Sequence, residues 1–426
     1  MRRSGSGTRW TPADAVLGGP GVTAAIGRPV ASTTSVLRVM NERAVYERIR
    51  ELGPVSRPEV ARETGLSKPT VSLALADLER AGLVRTVGHR TGHAGRAAML
   101  YEIHPDAGRA VGIDVGREWV RAALCGLDGK VLVRRDVRSR AGGPGELTDQ
   151  LVALVDELAA EAGCAPADLT HIVIGTPGVH DTGEHRLRLA PNLPGWDVPG
   201  VTRDLVGRLP APVLVENDIA LAALGEQAHG LGRGVPDFVF LSVGTGLGMG
   251  IVLNGELFRG ARGAAGEIAF LPLVETDPLT RAPGARRHGM LESVLSAAGL
   301  VATARRLGMP GRLTTAGVYD AARAGDPLAA EAVRYEAGNV CRALASVIAV
   351  LDPRLVVIGG GLVRHGQDVL LDAVRERLAD MTPLDPPPVE PSALGADATV
   401  LGALAIGVTT AMDIVFHRTV AEPAVG

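Results

Sequence analysis

The chain has 426 residues, of which 46% are hydrophobic and 21% charged, and its formal net charge at pH 7 is −3. Domains usually contain about 100 to 200 residues, so this length predicts two or three folding units. The composition is typical of a globular protein and excludes a uniformly basic or disordered chain. Any surface that binds nucleic acid must therefore be local.

Cysteine content and apolar runs bear on the cellular compartment. Cys125, Cys164 and Cys341 are too far apart for a metal knuckle and give no disulfide framework, which fits a reducing cytoplasm. No apolar segment of a secretory signal follows Arg2 and Arg3, and no run of about 18 residues is both apolar and uncharged. We therefore expect a cytoplasmic protein with no membrane contact.

The first part of the chain changes character near Ser35. Residues 1–35 are rich in Gly, Ser, Thr, Pro and Ala without a sustained period, which predicts a flexible leader. The pattern then becomes helical until Gly53-Pro54. The apolar residues that could form one buried face of this helix are Leu37, Val45, Ile49 and Leu52.

A helix-turn-helix pattern follows directly. Ser56 and Glu59 have the spacing of a capping box, and Pro58 falls in the first turn, where its missing amide hydrogen is not needed. Gly65 supplies the turn, and Ser67 can cap the second helix. Small residues on one face of that helix would let it approach the major groove of DNA closely. Its inward-facing residues have helical spacing: Val71, Leu75 and Leu78.

Two apolar strands around a loop rich in Gly, His and Arg come next, which is the outline of a wing. No acidic residue lies between Arg80 and Tyr101, so the arginines there predict a local positive patch. The alternative is a solvated loop beside an ordinary helical pair. We interpret residues 36–105 as a winged helix-turn-helix DNA-binding domain. Its candidate DNA-contacting residues are Arg57, Lys68, Pro69, Thr70, Ser72, Leu73, His89, Arg90 and Arg96.

From about Gly108 the pattern is that of an α/β protein. Strand-like runs, the hairpin pair Asp128-Gly129 and an amphipathic helix lead to the buried strand THIVIG at 170–175. After Glu226 the order recurs, with the hairpin pair Asn254-Gly255 and the buried strand LVVIGGG at 355–361. This recurrence predicts two related lobes.

Seven motifs in this region occur in a specific order. They are GIDVG at 112–116, GTPGV at 175–179, PNLPGW at 191–196, ENDIALAALGE at 216–226, GTGLGMG at 244–250, GAAGEI at 263–268 and VVIGGG at 356–361. Over residues 108–415 the chain resembles the ROK family (repressors, open reading frames and kinases), many of whose regulators carry a winged helix-turn-helix ahead of the family domain. The resemblance implies an actin/hexokinase-like (ribonuclease H-like) α/β domain over 108–420. Its expected parts are lobe 1 at about 108–225, lobe 2 at about 226–410 and a C-terminal helix that returns to lobe 1.

Asn217 and Asp218 follow a strand-like run, where a carboxylate and an amide can bind vicinal hydroxyls. They can equally cap the helix that starts near Ile219, and the two roles are compatible. In kinases of the family the residue matching Asp218 is the base that takes a proton from the sugar hydroxyl, a role that would apply here only if the chain is kinase-active. The resemblance implies this set of sugar-binding residues: Gly178, Asn217, Asp218, Glu267 and Glu292.

The nucleotide and zinc motifs of the family are altered. Arg117 and Glu118 stand where kinases of the family have a glycine and a threonine, which argues against ATP turnover. Phe270 and Met290 replace a histidine and a cysteine, and no cysteine lies between 165 and 340, so a thiolate zinc site cannot form. We expect neither a metal nor a bound cofactor. The vestigial nucleotide-binding candidates are Asp114, Gly116, Gly244, Thr245, Gly246 and Gly360.

These patterns together favour a ROK-type transcriptional regulator, a repressor of carbohydrate metabolism. The expected partners are a double-stranded DNA operator and a small carbohydrate effector between the lobes. We expect a homodimer or a dimer of dimers, because one small recognition helix offers limited contact. The apolar stretches 337–350 and 401–408 could serve subunit contacts or the lobe cores. Alternatives are an ATP-dependent sugar kinase with an appended DNA-binding domain, or a carbohydrate-binding interaction module.

Overall fold

The computed structural model describes residues 33–90, 98–140, 142–274, 277–281, 285 and 289–421. Most of the predicted leader and the candidate Arg96 lie outside these residues. The described chain contains a small N-terminal module at residues 33–103, followed by two α/β lobes. The fold is the predicted one: a winged helix-turn-helix ahead of an actin-like α/β domain.

The N-terminal module has three helices and three short strands. They are α1 (Thr33–Leu52), β1 (Val55–Ser56), α2 (Arg57–Thr64), α3 (Lys68–Arg80), β2 (Val84–Arg90) and β3 (Ala98–Ile103). The strands pair antiparallel in the order β1-β3-β2, and β2 and β3 form the wing. Glu59 accepts hydrogen bonds from the backbone and hydroxyl of Ser56 at the start of α2. Gly65 in the turn has a φ of 71°, which only glycine adopts readily.

The buried face of α1 differs from the predicted one. Val45 and Ile49 are buried as expected, together with Tyr46, but Leu37 and Leu52 are exposed. The helix is therefore rotated relative to the interpretation from apolar spacing alone. The reason is long-range, because Tyr46 stacks on Phe416, with ring centroids 5.7 Å apart.

The first lobe contains a five-stranded sheet of order β10-β7-β4-β5-β6. Its strands are β4 (Arg109–Val115), β5 (Trp119–Gly126), β6 (Val131–Arg138), β7 (His171–Thr176) and β10 (Val213–Asn217). β4, β5 and β6 form an antiparallel meander, whereas β7 and β10 are parallel to β4. The helices α4 (Pro144–Glu161) and α5 (Val201–Arg208) and the hairpin β8 (Val179–Asp181) and β9 (Arg186–Arg188) complete the lobe.

The second sheet repeats this topology, with the order β13-β12-β11-β14-β15. Its strands are β11 (Phe238–Val243), β12 (Leu247–Leu253), β13 (Glu256–Leu257), β14 (Leu355–Gly359) and β15 (Val389–Pro391). The helices are α6 (Asp218–His229), α7 (Ala297–Arg306), α8 (Thr315–Arg323), α9 (Pro327–Leu351) and α10 (Gly361–Met381). Both sheets thus have a meander followed by two parallel strands, as the recurring sequence pattern predicts.

A last helix, α11 (Ala398–Phe416), connects the parts of the molecule. It packs against α6, β4 and β7. The approach to α6 is close, because a Cβ on Gly402 would overlap the carbonyl oxygen of Leu221. Near its other end, Asp413 pairs with Arg43 of α1 and Phe416 stacks on Tyr46. One apolar core therefore runs from the N-terminal module into the first lobe.

Two of the helices bear on the expectations for subunits and membranes. Most apolar side chains of the stretches 337–350 and 401–408 are buried or partly buried within the chain, which favours the lobe-core interpretation of both. Among the described residues, Gly395–Thr419 is the one helical segment with the length and apolarity of a membrane span. Half of its most apolar window is buried against the rest of the protein, as in a core helix.

Candidate functional site

A cleft lies between the two sheets and has a volume of about 350 Å³. This volume is in the range of small-molecule sites, about 300–1,000 Å³. Four predicted sugar-site side chains line it together with Asp114 of β4 and the loop residue Gly178: Asn217, Asp218, Glu267 and Glu292. All of the vestigial nucleotide candidates line the same cleft: Asp114, Gly116, Gly244, Thr245, Gly246 and Gly360. The structure thus brings the two predicted sets together.

Asn217 organises the first-lobe side of the cleft. Its Oδ1 accepts hydrogen bonds from the backbone N–H groups of Ile219 (3.0 Å) and Ala220 (2.9 Å), which is the predicted helix cap. Its Nδ2 donates to the carbonyl oxygen of Gly178 at 3.0 Å. Asn217 therefore fixes the start of α6 and the 177–178 turn relative to each other.

Asp218 lies at the first position of α6 and is the most perturbed carboxyl group of the cleft. Burial raises its pKa to about 7, and the neighbouring Asp114 and Glu267 carboxylates raise it as well. Its Oδ1 accepts the Ile219 N–H at 2.9 Å. A carboxyl group with a pKa near neutrality can both accept a proton from a hydroxyl and donate one to it.

The other carboxylates share this environment. Burial raises the pKa of Asp114 to about 6, while Arg121, whose Nη1 lies 3.1 Å from Asp114 Oδ2, opposes the shift. Burial also raises the pKa of Glu267, and the neighbouring Glu292 carboxylate adds to the effect. Carboxyl groups with raised pKa values can donate a hydrogen bond when protonated and accept one when ionised, which suits hydroxyl-rich ligands.

The second phosphate loop that the family resemblance implies, at Gly244, Thr245 and Gly246, retains its glycine turn. Gly244 donates its N–H to the carbonyl oxygen of Gly246 at 3.0 Å. Glu292 Oε2 accepts the N–H of Leu247, the next residue, at 2.9 Å. The Glu292 carboxylate therefore already accepts a hydrogen bond from a backbone N–H beside this loop. Gly360 has a φ of 95° at the start of α10, and a Cβ there would overlap the carbonyl oxygen of Val243.

The two altered residues of the first phosphate loop that the family resemblance implies, Arg117 and Glu118, have different surroundings. Arg117 lines the cleft, as expected for a side chain that replaces a glycine there. Glu118 is directed elsewhere, because its Oε2 lies 3.6 Å from Arg138 Nη1. Glu118 is not among the residues that line the cleft, so the obstruction by Arg117 remains the argument against a nucleotide.

The two positions that replace zinc ligands of the family have different surroundings. Phe270 lines the cleft and is partly exposed, whereas Met290 packs against the core of the second lobe. Within the part of the chain that the structure describes, no group of three or more His, Cys, Asp or Glu side chains could hold a metal ion. Residues 275–276, 282–284 and 286–288 of the adjoining loop lie outside that part.

Sequence reasoning missed residues that act through long-range contacts. Arg121 is the cation beside Asp114, and Arg259 Nε pairs with Glu216 Oε2 at 2.7 Å across the cleft mouth. Glu226 is fully buried at the end of α6 and accepts hydrogen bonds from the Ser392 hydroxyl and the Leu231 N–H. The sequence signal for Glu226 was a charged residue in an otherwise apolar helical segment.

The candidate DNA-reading face is the exposed side of α3. Val71, Leu75 and Leu78 are buried as predicted. Lys68, Pro69 and Leu73 are exposed, Leu73 by 69%.

The two hydroxyl candidates on α3 form local hydrogen bonds. The Thr70 and Ser67 hydroxyls lie 2.8 Å apart, and the Ser72 hydroxyl donates to the Lys68 carbonyl oxygen at 2.8 Å. Both bonds stabilise the first turns of α3. A base or phosphate contact by either hydroxyl would compete with them.

The predicted positive patch of the wing is partly neutralised. Arg90 Nη1 lies 2.7 Å from Glu59, and Arg85 Nη2 lies 2.7 Å from Glu102. The window without acidic residues was therefore misleading, because both carboxylates come from outside it. Arg57 donates to the Tyr101 hydroxyl at 3.1 Å, and His89 is exposed on β2.

Comparisons with known proteins agree with this arrangement. The ROK family model matches residues 110–409, and the IclR helix-turn-helix domain matches residues 49–88. The xylose repressor of Caldicellulosiruptor bescii is 28% identical over 87% of this chain and 96% of its own length. The glucokinase of Thermotoga maritima is 30% identical over 70% of this chain and 96% of its own length.

A solved structure extends the likeness to the whole fold. A ROK family transcriptional regulator, a homologue of the Escherichia coli MLC protein, superposes with a TM-score of 0.74 at 22% identity and covers 91% of this chain and 99% of its own. The family model covers more than half of the chain, and a helix-turn-helix module precedes it. The chain therefore belongs to the ROK family and is one of its DNA-binding transcriptional regulators.

Proposed function

We propose that the protein is a repressor whose affinity for a DNA operator is set by a carbohydrate bound in the cleft. The observation that carries this proposal is the convergence of Asn217, Asp218, Glu267 and Glu292 on one cavity. The Asn217 amide and three carboxyl groups, of which Asp218 and Glu267 have raised pKa values, supply both donors and acceptors for ring hydroxyls. Residues 108–420 would hold the effector, and residues 36–105 would read the operator.

The route from effector to operator runs through α11. Thr399 near its start donates to the backbone carbonyl oxygen of Asp218 at 3.2 Å. Its other end contacts α1 through Asp413 and Phe416. A ligand that shifts the start of α6 would therefore shift α11 and the N-terminal module with it. An effector changes DNA affinity only by its differential affinity for the two arrangements.

The protein would act as a homodimer or a dimer of dimers in the cytoplasm. A single α3 exposes only a short reading face, and paired modules reading two half-sites double the contact area. Light scattering coupled to gel filtration tests the assembly. A monomer at the concentrations at which DNA binds would contradict it.

The test of the proposed function starts with DNA fragments that the full chain selects from genomic DNA. Fluorescence anisotropy then measures their affinity with and without each of a panel of pentoses, hexoses and amino sugars. We expect one sugar class to change the Kd by about tenfold or more, within the usual range of allosteric coupling. Asp218→Asn should abolish that change while DNA binding without sugar persists. The proposal would be contradicted if no sugar of the panel changed the Kd for DNA, or if Asp218→Asn kept the full response to sugar.

The sugar-kinase alternative rests on two observations. The glucokinase of Thermotoga maritima is a relative, and Asp218 has a pKa of about 7, which suits a general base. Arg117 in the cleft and the carboxylate of Glu292 beside the second phosphate loop oppose it. Phosphate transfer from ATP across the same sugar panel separates the two functions. If the protein phosphorylates a sugar and Asp218→Asn abolishes that activity, the protein is a kinase. The claim that the site only binds an effector would then be wrong.

A further inference from the structure

Three large apolar side chains line the cleft and are exposed to solvent. Leu189, Phe258 and Phe270 are 43%, 48% and 38% exposed, and each lines the cavity that contains Asp218. The chain has only five phenylalanines, and two of them lie here. Exposed apolar groups in a concave site indicate a surface that a ligand covers.

Both phenylalanines are adjacent to polar groups of the site. Phe258 directly precedes Arg259, which pairs with Glu216 at 2.7 Å. The backbone N–H of Phe270 donates to the carbonyl oxygen of Glu267 at 3.3 Å. Each ring is therefore within three residues of a charged side chain that lines the cleft.

Leu189 has an unusual backbone conformation. Its φ of 56° is in the left-handed region, which a residue with a large side chain adopts only when its surroundings maintain it. The preceding carbonyl oxygen of Arg188 lies so close to Gly178 that a Cβ there would overlap it. Gly178 in turn accepts the Asn217 hydrogen bond. Strained residues of this kind cluster at ligand sites.

We propose that the effector is a glycoside whose aglycone presents an apolar face, and not a free monosaccharide. Its sugar hydroxyls would bind the carboxylates and Asn217, and the aglycone would cover Leu189, Phe258 and Phe270. This inference rests on the proposed function, because it takes the carboxylate cluster as the sugar site. Apolar faces and aromatic rings attract each other by surface burial and ring electrostatics.

Calorimetric titration of the full chain with paired glycosides tests the inference. Each common pentose and hexose is offered as its methyl β-glycoside and its phenyl β-glycoside. We expect the phenyl form of at least one sugar to bind about tenfold or more tightly than the methyl form, since ring burial supplies that factor. Phe258→Ala and Phe270→Ala should each reduce this ratio toward one.

The control is Leu384→Ala, which removes an equally exposed apolar side chain that is not among the residues lining the cleft. It should retain the full phenyl-to-methyl ratio, and thermal unfolding should show all three variants folded. Equal affinity of the two glycoside forms, or an unchanged ratio in both phenylalanine variants, would overturn this inference alone. Binding of neither form of any sugar would contradict the proposed function as well.

Discussion

The cleft partly shields its carboxyl groups from water, whereas the N-terminal module displays most of its charges at the surface. Burial raises the pKa values of Asp114 and Asp218 into the range of about 6 to 7. On the module, Arg90 pairs with Glu59 at a site open to solvent, where ion pairs contribute little and exchange readily. The partly buried carboxyl groups suit the cleft to selective contacts with one ligand. The exposed ion pairs of the module can be exchanged for contacts with phosphates.

The close packing of α11 against α6 should be the part of the molecule that is most sensitive to substitution. Gly402→Ala would place a Cβ against the Leu221 carbonyl oxygen and separate α11 from α6. We expect a loss of about 3 kcal/mol in the free energy of unfolding, measured by urea denaturation.

Gly407→Ala on the same helix is the matched control. Its Cβ would lie at 3.3 Å from Ala110 Cβ and 3.4 Å from Val173 Cγ2, so its cost should be much smaller. Equal stability losses for the two variants would contradict the close α6–α11 contact.

Asp218→Asn should change the pH dependence of stability. The folded pKa of about 7 exceeds the ordinary value of 3.8, so the folded state binds more protons and stability falls as pH rises from about 4 to 7. We expect the variant to be more stable than the parent at pH 8, by about 2 kcal/mol, and this difference to shrink toward pH 5. Thermal unfolding at a series of pH values measures it. A constant difference between the two proteins would contradict the raised pKa.

On the module, charge removal should act on DNA binding and leave the fold intact. Lys68→Ala removes an exposed cation at the start of α3. We expect DNA affinity to fall by about tenfold at low salt and the slope of log K against log salt to decrease by about 1, because fewer counterions are released. Arg90→Ala should weaken binding in the same way but less, because Arg90 must first leave Glu59. Unchanged slopes for both variants would refute the assignment of this face to DNA.

The smallest effect should come from Thr70→Ala. The variant loses the Ser67 hydroxyl contact at the surface, so the free energy of unfolding should change by only about 0.5 kcal/mol. We expect its ranking of selected DNA sequences to change while its salt dependence does not. If the variant ranks the DNA sequences as the parent protein does, Thr70 does not face the bases.

Local features of the fold were predictable from the sequence, and long-range contacts were not. The Ser56 cap, the turn at Gly65 and the hairpin at Asn254-Gly255 depend on neighbours in the chain, and the structure has all three. The ordered motifs, through their resemblance to the ROK family, also predicted which residues meet in the cleft.

The remaining details depend on residues far apart in sequence. The rotation of α1 follows from the stacking of Tyr46 on Phe416, and the neutralisation of the wing follows from Glu59 and Glu102. No periodicity within α1 or the wing contains this information. The contact of the Glu292 carboxylate with the Leu247 N–H likewise joins residues 45 positions apart in the chain.

The stacking of Tyr46 on Phe416 also limits how such proteins can be recombined. A chimera that grafts residues 33–103 onto another sugar-binding body would leave Tyr46 and Arg43 without the matching end of α11. The transplanted part would then need a compatible terminal helix from the same donor. Exchange of DNA specificity by substitution on the exposed face of α3 avoids this difficulty, because Lys68, Pro69 and Leu73 are exposed to solvent and take no part in that joint.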